Sequence, residues 1–156
     1  MNNAITSEEV RQPLPAPPVI REPKPCAEPE KIDHEQRRPY EGSETTVVDV
    51  LRQARELLAE PGRWTQGSLA RDADGHSSPL RGPAAVCWCS IGAVERITKT
   101  PGTAYKYLKA AMGCGIAAWN DAPERTQSEV VAAFDAAVAL AAADDQRRAR
   151  EESGRW

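Results

Sequence analysis

A chain of 156 residues is the size of a single domain, since domains run to roughly 100 to 200 residues. Its net charge of -3 argues against a general nucleic-acid surface, which needs a basic excess to displace phosphate counterions. Four cysteines without a secretory leader pattern point to free thiols in a reducing, cytoplasmic compartment, and no apolar run reaches the roughly 20 residues that cross a bilayer.

The first predicted element is not a folded one. Eight of the thirteen prolines lie before residue 40, in QPLPAPPVIREPKPCAEPEKIDHEQRRP, a stretch rich in charge and without apolar periodicity. Such a segment buries too little surface to offset its ordering entropy, so residues 1–43 are expected to be a disordered, locally polyproline II tail. Pro15 to Pro18 has the composition of a ligand for an aromatic groove, although a solvated tether is the plainer reading. Cys26 and His34 fall in this tail and are assigned to no site.

Helical spacing begins at Thr45. Val47, Val50, Leu51, Ala54, Leu57 and Leu58 recur every three or four residues and form one apolar stripe, with Thr46 and Asp49 as the N-cap pair and Pro61-Gly62 as the stop. RWTQGSLARDADGHSSPL breaks the period, and Asp74-Gly75 predicts a tight turn in a short irregular hairpin pairing 68–72 with 76–80. Gly82-Pro83 predicts a second helix that would carry the AVCWCSIGAV stretch, and Thr100-Pro101 a third, closed by Gly113. Thr126 with Glu129 is a capping box for a fourth helix, whose buried face is Val130, Val131, Phe134, Ala137, Val138 and Ala141. Beyond Asp144 the charge density predicts fraying. The expectation is a mainly α fold: a small cluster of about four helices with a short irregular β-hairpin or loop insertion between helices one and two. The domain is expected over 44–147 and a charged C-terminal tail over 148–156. Small residues should let helices two and four approach, with Gly92-Ala93 against Ala133-Ala137.

The cysteines invite chemistry. On a helix, Cys87 and Cys89 point about 200 degrees apart and cannot share one ion, and neither Cys114 nor His76 brings a second ligand at a favourable spacing, so no metal site is expected. Cys87-Trp88 resembles the Cys-Trp step at the start of the central helix of papain-like proteases. That chemistry needs a thiolate paired with a histidine, which lies downstream in those enzymes, whereas the only two histidines here are His34 and His76, both upstream. Cys89 reads better as a small hydrophobe. A second constellation joins large aromatics to amides and carboxylates: Arg63-Trp64-Thr65-Gln66-Gly67, Ala70-Arg71-Asp72 and Trp119-Asn120-Asp121. Such sets line recognition pockets, and they equally anchor loops, with Trp119 as the anchor and Asn120 and Asp121 holding loop N–H groups. The Asp72 and Asp74 carboxylates are expected to hold their own turn. No phosphate-cradling glycine loop or H-E-x-x-H pair is present.

GRWTQGSLARDADG, AAVCWCSIGAVER and AWNDAPERTQSEVVAAFDAAVALA together resemble a small bacterial and phage family of unknown function with Trp-x-Gln-Gly, Cys-x-x-Gly-Ala and Asn-Asp-x4-Thr motifs. The resemblance covers about residues 47–142 and implies Trp64, Gln66, Gly67, Asp72, Cys89, Gly92, Ala93, Asn120, Asp121 and Thr126 as its characteristic positions, without Cys87. It implies no reaction and no cofactor. The residues point first to a non-enzymatic accessory or binding protein. It would recognise an unidentified protein or small ligand through Trp64, Gln66, Asp72, Trp119, Asn120 and Asp121. The alternative is a small hydrolase or transferase using Cys89, oriented by Asn120, Asp121 or Gln66.

Overall fold

The computed structural model describes residues 45–155. The expected tail, with Pro15 to Pro18, Cys26 and His34, lies outside the described residues. In chain order the elements are α1 (Val47–Ala59), β1 (Ala70–Arg71), β2 (Cys87–Trp88), α2 (Ser90–Ile97), α3 (Gly102–Met112), α4 (Ile116–Asn120) and α5 (Gln127–Ser153). The fold is mainly α, as the apolar periodicity predicts, with a small antiparallel β pair between α1 and α2.

Both capping boxes form. The Thr46 hydroxyl accepts the Asp49 N–H at 3.1 Å and the Asp49 carboxylate accepts the Thr46 N–H at 3.2 Å; Thr126 and Glu129 repeat the exchange at the start of α5. Each satisfies two backbone groups that the helix geometry leaves without partners. Gly113 closes α3 with a left-handed φ of 75°. α5 packs along α1 and α3, and α2 packs on α1. Leu51, Leu58, Val94, Leu108, Val130 and Phe134 form a fully buried centre.

Four expectations are corrected. The second helix does not start at Pro83. Residues 82–86 turn, and Cys87–Trp88 runs as a strand because its neighbours already use its backbone: the Val86 N–H donates to Arg71 O at 2.8 Å and the Cys89 N–H to Leu69 O at 3.2 Å. Val-Cys-Trp is a strand-favouring run, and proline at 83 only opened a turn. The hairpin itself forms, with Asp72 N–H donating to His76 O and Ser78 N–H to Ala70 O, but Ala70–Arg71 also takes Trp88 and Cys87 as partners. Trp119 and Asn120 lie on α4 rather than in a loop. α5 continues to Ser153 instead of fraying after Asp144, helped by an Arg147–Asp144 ion pair at 2.7 Å. Finally, Gly92 does not face α5. A Cβ at Gly92 would sit 1.9 Å from the Leu69 carbonyl oxygen, so this glycine is what lets the 67–70 segment cross the first turn of α2.

Candidate functional site

The polar and aromatic residues singled out in the sequence come from two distant stretches, and α4 joins them. Gly113 and Gly115 turn the chain after α3 so that α4 delivers Asn120 beneath the Trp64 loop. Asn120 is only 1% exposed. Its Oδ1 accepts the Trp64 indole N–H at 2.9 Å, the Ser90 backbone N–H at 3.0 Å and the Ser90 hydroxyl at 2.8 Å. Its Nδ2 donates to Thr65 O at 3.2 Å and to Asp121 Oδ1 at 2.7 Å. Both amide hydrogens are therefore used, and the bond that Oδ1 accepts from Ser90 satisfies an N–H in the opening turn of α2.

Gln66 and Asp121 complete the junction. Gln66 Nε2 donates to Asn120 O at 2.8 Å and Ala122 O at 2.9 Å, while Asp121 Oδ1 accepts the Gly67 N–H at 3.0 Å. Trp119 lies beside this network. The Arg125 guanidinium stacks 3.8 Å from its ring centroid, and Arg125 Nε donates to Trp119 O at 3.0 Å. Of the six candidate binding residues, Trp64, Gln66, Asn120 and Asp121 are thus bonded into one junction and Trp119 sits at its flank. Asp72 is elsewhere: its Oδ1 accepts the Asp74 N–H at 3.1 Å and the His76 N–H at 2.9 Å, which holds the turn as expected of that carboxylate. Ligand-type atoms of Asp72, Asp74 and His76 gather within 4.8 Å on this turn, where Asp74 and His76 are exposed.

Sequence reasoning placed Arg63 and Arg71 in the aromatic-polar set without giving them a role, and missed Ser90. Arg71 spreads its guanidinium over Thr65 Oγ1, Gln66 O and Gly75 O, tying the Trp64 loop to the hairpin turn. Buried Arg63 pairs with Glu60 at 3.1 Å and donates to Val86 O at 3.2 Å. An arginine among glycine and aspartate turn residues was the only local signal. The partners Ser90 and Asn120 are 30 residues apart, and no local pattern carries that information.

Cys89 has a defined task. It is the N-cap of α2, and its Sγ accepts the Gly92 N–H at 3.3 Å. Burial pushes its thiol above the ordinary cysteine range; the Gly92 bond offsets this only in part, and the Asp121 carboxylate adds to it. Cys89 and Cys114 are free thiols, whereas Cys87 is disulfide-bonded, which corrects the expectation of four free thiols. The helical separation of Cys87 and Cys89 assumed from the sequence is likewise absent, since Cys87 lies in β2 and Cys89 caps the following helix. His76 is exposed in the hairpin turn, with Nδ1 3.8 Å from Asp72 Oδ1.

Among the described residues no helix is long and apolar enough to cross a membrane. Residues 42–140 match a family described as a family of unknown function, DUF6197. No curated protein and no solved structure matches the chain.

Proposed function

The chain belongs to DUF6197, a family of unknown function, and from that premise we propose that it is a non-catalytic accessory or binding module of a bacterium or mobile element. Its recognition face is the outer edge of the Trp64 loop and the Trp119 end of α4, and its ligand is a protein or small molecule. The observation that carries the reading is the state of Cys89. Its sulfur is buried, accepts a helix N–H and has a raised pKa, which is the opposite of the exposed, stabilised thiolate that nucleophilic chemistry needs.

The Asn120 junction supports the binding half of the proposal by presenting a rigid rim. Gly67 and Asp121 are exposed on it, Trp119 is half-buried, and Leu69 is 44% exposed, one of the two large apolar side chains most open to water among the described residues. A face pre-organised by its own hydrogen bonds loses little entropy on binding. Residues 1–43 would then serve as a tether.

Two measurements test this. In the folded full-length chain, iodoacetamide should modify exposed Cys114 well before Cys89; equal rates would restore the cysteine-enzyme alternative. Leu69→Glu and Trp119→Ala should each keep the helical circular dichroism signal and abolish affinity capture of the partner that the wild-type chain retains. Undiminished capture by both variants would remove the proposed face.

A further inference from the structure

α5 is apolar on two opposite sides, and only one of them is used. Val130, Phe134, Ala137 and Ala141 are fully buried against the rest of the domain. At 100 degrees per residue Ala132, Ala136, Ala139 and Ala143 fall on the opposite side, with Leu140 on its flank beside Ala133, and all five are exposed. Leu140 is 42% exposed, the companion of Leu69 among large apolar residues open to water. A helix that is apolar all round belongs in an interior, so this face lacks a cover within the described residues.

The charges at its ends say what fits. Glu129, Ala136, Ala143 and Arg150 follow one another at intervals of seven residues, the spacing that keeps a seam facing a partner helix. The column reads acid, small, small, base, which is complementary to its own reverse. A second α5 laid antiparallel, with the two-fold axis passing between Ala139 and Leu140, sets Ala136 against Ala143 of the partner subunit and Glu129 against Arg150 of the partner subunit. Glu129 keeps a half-exposed carboxylate after its contacts to Thr126 and Arg125, and the Arg150 guanidinium has no bond among the described residues. Alanine at the contact positions lets two helix axes come to the short end of the usual 8 to 10 Å separation. The same arrangement accounts for the exposed turns of α5 after Asp144. They would lie along the first turns of the neighbouring α5, where an unsupported helical end would otherwise be marginal.

We propose that the Ala132–Ala143 face of α5 is a homodimer interface, closed by an antiparallel second copy of this chain with reciprocal Glu129–Arg150 pairs. It is a different face from the Trp64–Trp119 rim and stands independently of it. Sedimentation equilibrium of the full-length chain should show a concentration-dependent dimer. Leu140→Glu should raise the dimer dissociation constant about 100-fold or more, the scale of like charges facing each other across an interface, while leaving the helical signal of the monomer unchanged. Arg150→Glu should weaken the dimer about 5-fold to 30-fold, and Glu129→Lys added to it should restore affinity, because each reversed acid then meets a reversed base. A wild-type chain that stays monomeric up to its solubility limit overturns the proposal, as does a dimer indifferent to Leu140→Glu.

Discussion

In α1, α3 and α5 the side chains that meet are chiefly leucine, valine, alanine, methionine and aromatic groups, and polar contacts are limited to the two capping boxes and to pairs near the surface such as Arg55–Asp135 and Tyr107–Asp144. Between α1 and α2 the chain is held instead by side chains bonded to backbone: Arg63 to Val86, Arg71 to Gln66 and Gly75, Gln66 to Asn120 and Ala122. The first region is stabilised by non-directional burial, which tolerates small shifts. The second depends on bond geometry at buried atoms, where a single missing acceptor strands several donors. One molecule therefore has a helical frame that should fail as a whole and a connecting segment that should fail in place.

Substitutions can break or sharpen that contrast. Phe134→Ala removes the largest fully buried side chain and should cost about 3 to 5 kcal/mol, lowering the thermal midpoint of every probe together. Asn120→Ala leaves the Trp64 indole, the Ser90 N–H and the Ser90 hydroxyl without their acceptor and should cost about 3 kcal/mol. Its signature is local: amide exchange should accelerate at residues 63–70 and at the start of α2 before α5 is affected, and uniform acceleration would erase the distinction between the regions. Gly92→Ala forces a methyl into the Leu69 carbonyl and should cost about 2 to 3 kcal/mol, again with exchange changes centred on residues 67–70. Thr126→Ala, which loses one N-cap, should cost about 1 kcal/mol, measurable as a shift in the urea midpoint.

Acid gives the smallest effect. The Thr46 hydroxyl and N–H hold Asp49 below the usual carboxylate range, the Thr126 N–H and hydroxyl do so for Glu129, and the Tyr107 hydroxyl does so for Asp144. Each folded-state value lies below the unfolded one, so this stabilisation is present above the usual carboxylate range and is lost as pH falls through the lowered folded values. These carboxylates belong to the helical frame. The urea midpoint of α5-reporting probes should therefore drop between neutral and strongly acidic solution, and a midpoint that rises on acidification would contradict the assignment.

The helical frame was legible because its causes are local. Thr46 with Asp49, Thr126 with Glu129, the left-handed Gly113 and the three- and four-residue apolar spacing each act within one or two turns. The residue types of the candidate site were legible too, since Trp64, Gln66, Asn120 and Asp121 stood out as aromatic and polar groups beside one another in sequence. Their joint arrangement was not, because Asn120 reaches Trp64 across 56 residues and Ser90 across 30. Cys89 was read correctly as packed and wrongly as mid-helix: an apolar stripe and a strand entering a helix share the same few residues, and only the Leu69 carbonyl distinguishes them. The exposed side of α5 was hidden by the richness of alanine, which satisfies an inward and an outward stripe at once.

The setting of Trp88 limits how any partner can be read. Its N–H donates to Arg63 O at 2.8 Å and its carbonyl accepts the Thr65 N–H at 3.0 Å, while its other edge is lined by Ala70. A strand flanked on both sides offers no open ladder to an incoming peptide. Recognition by β-augmentation is thus closed off at β2, and selectivity there has to be written in side-chain shape and charge.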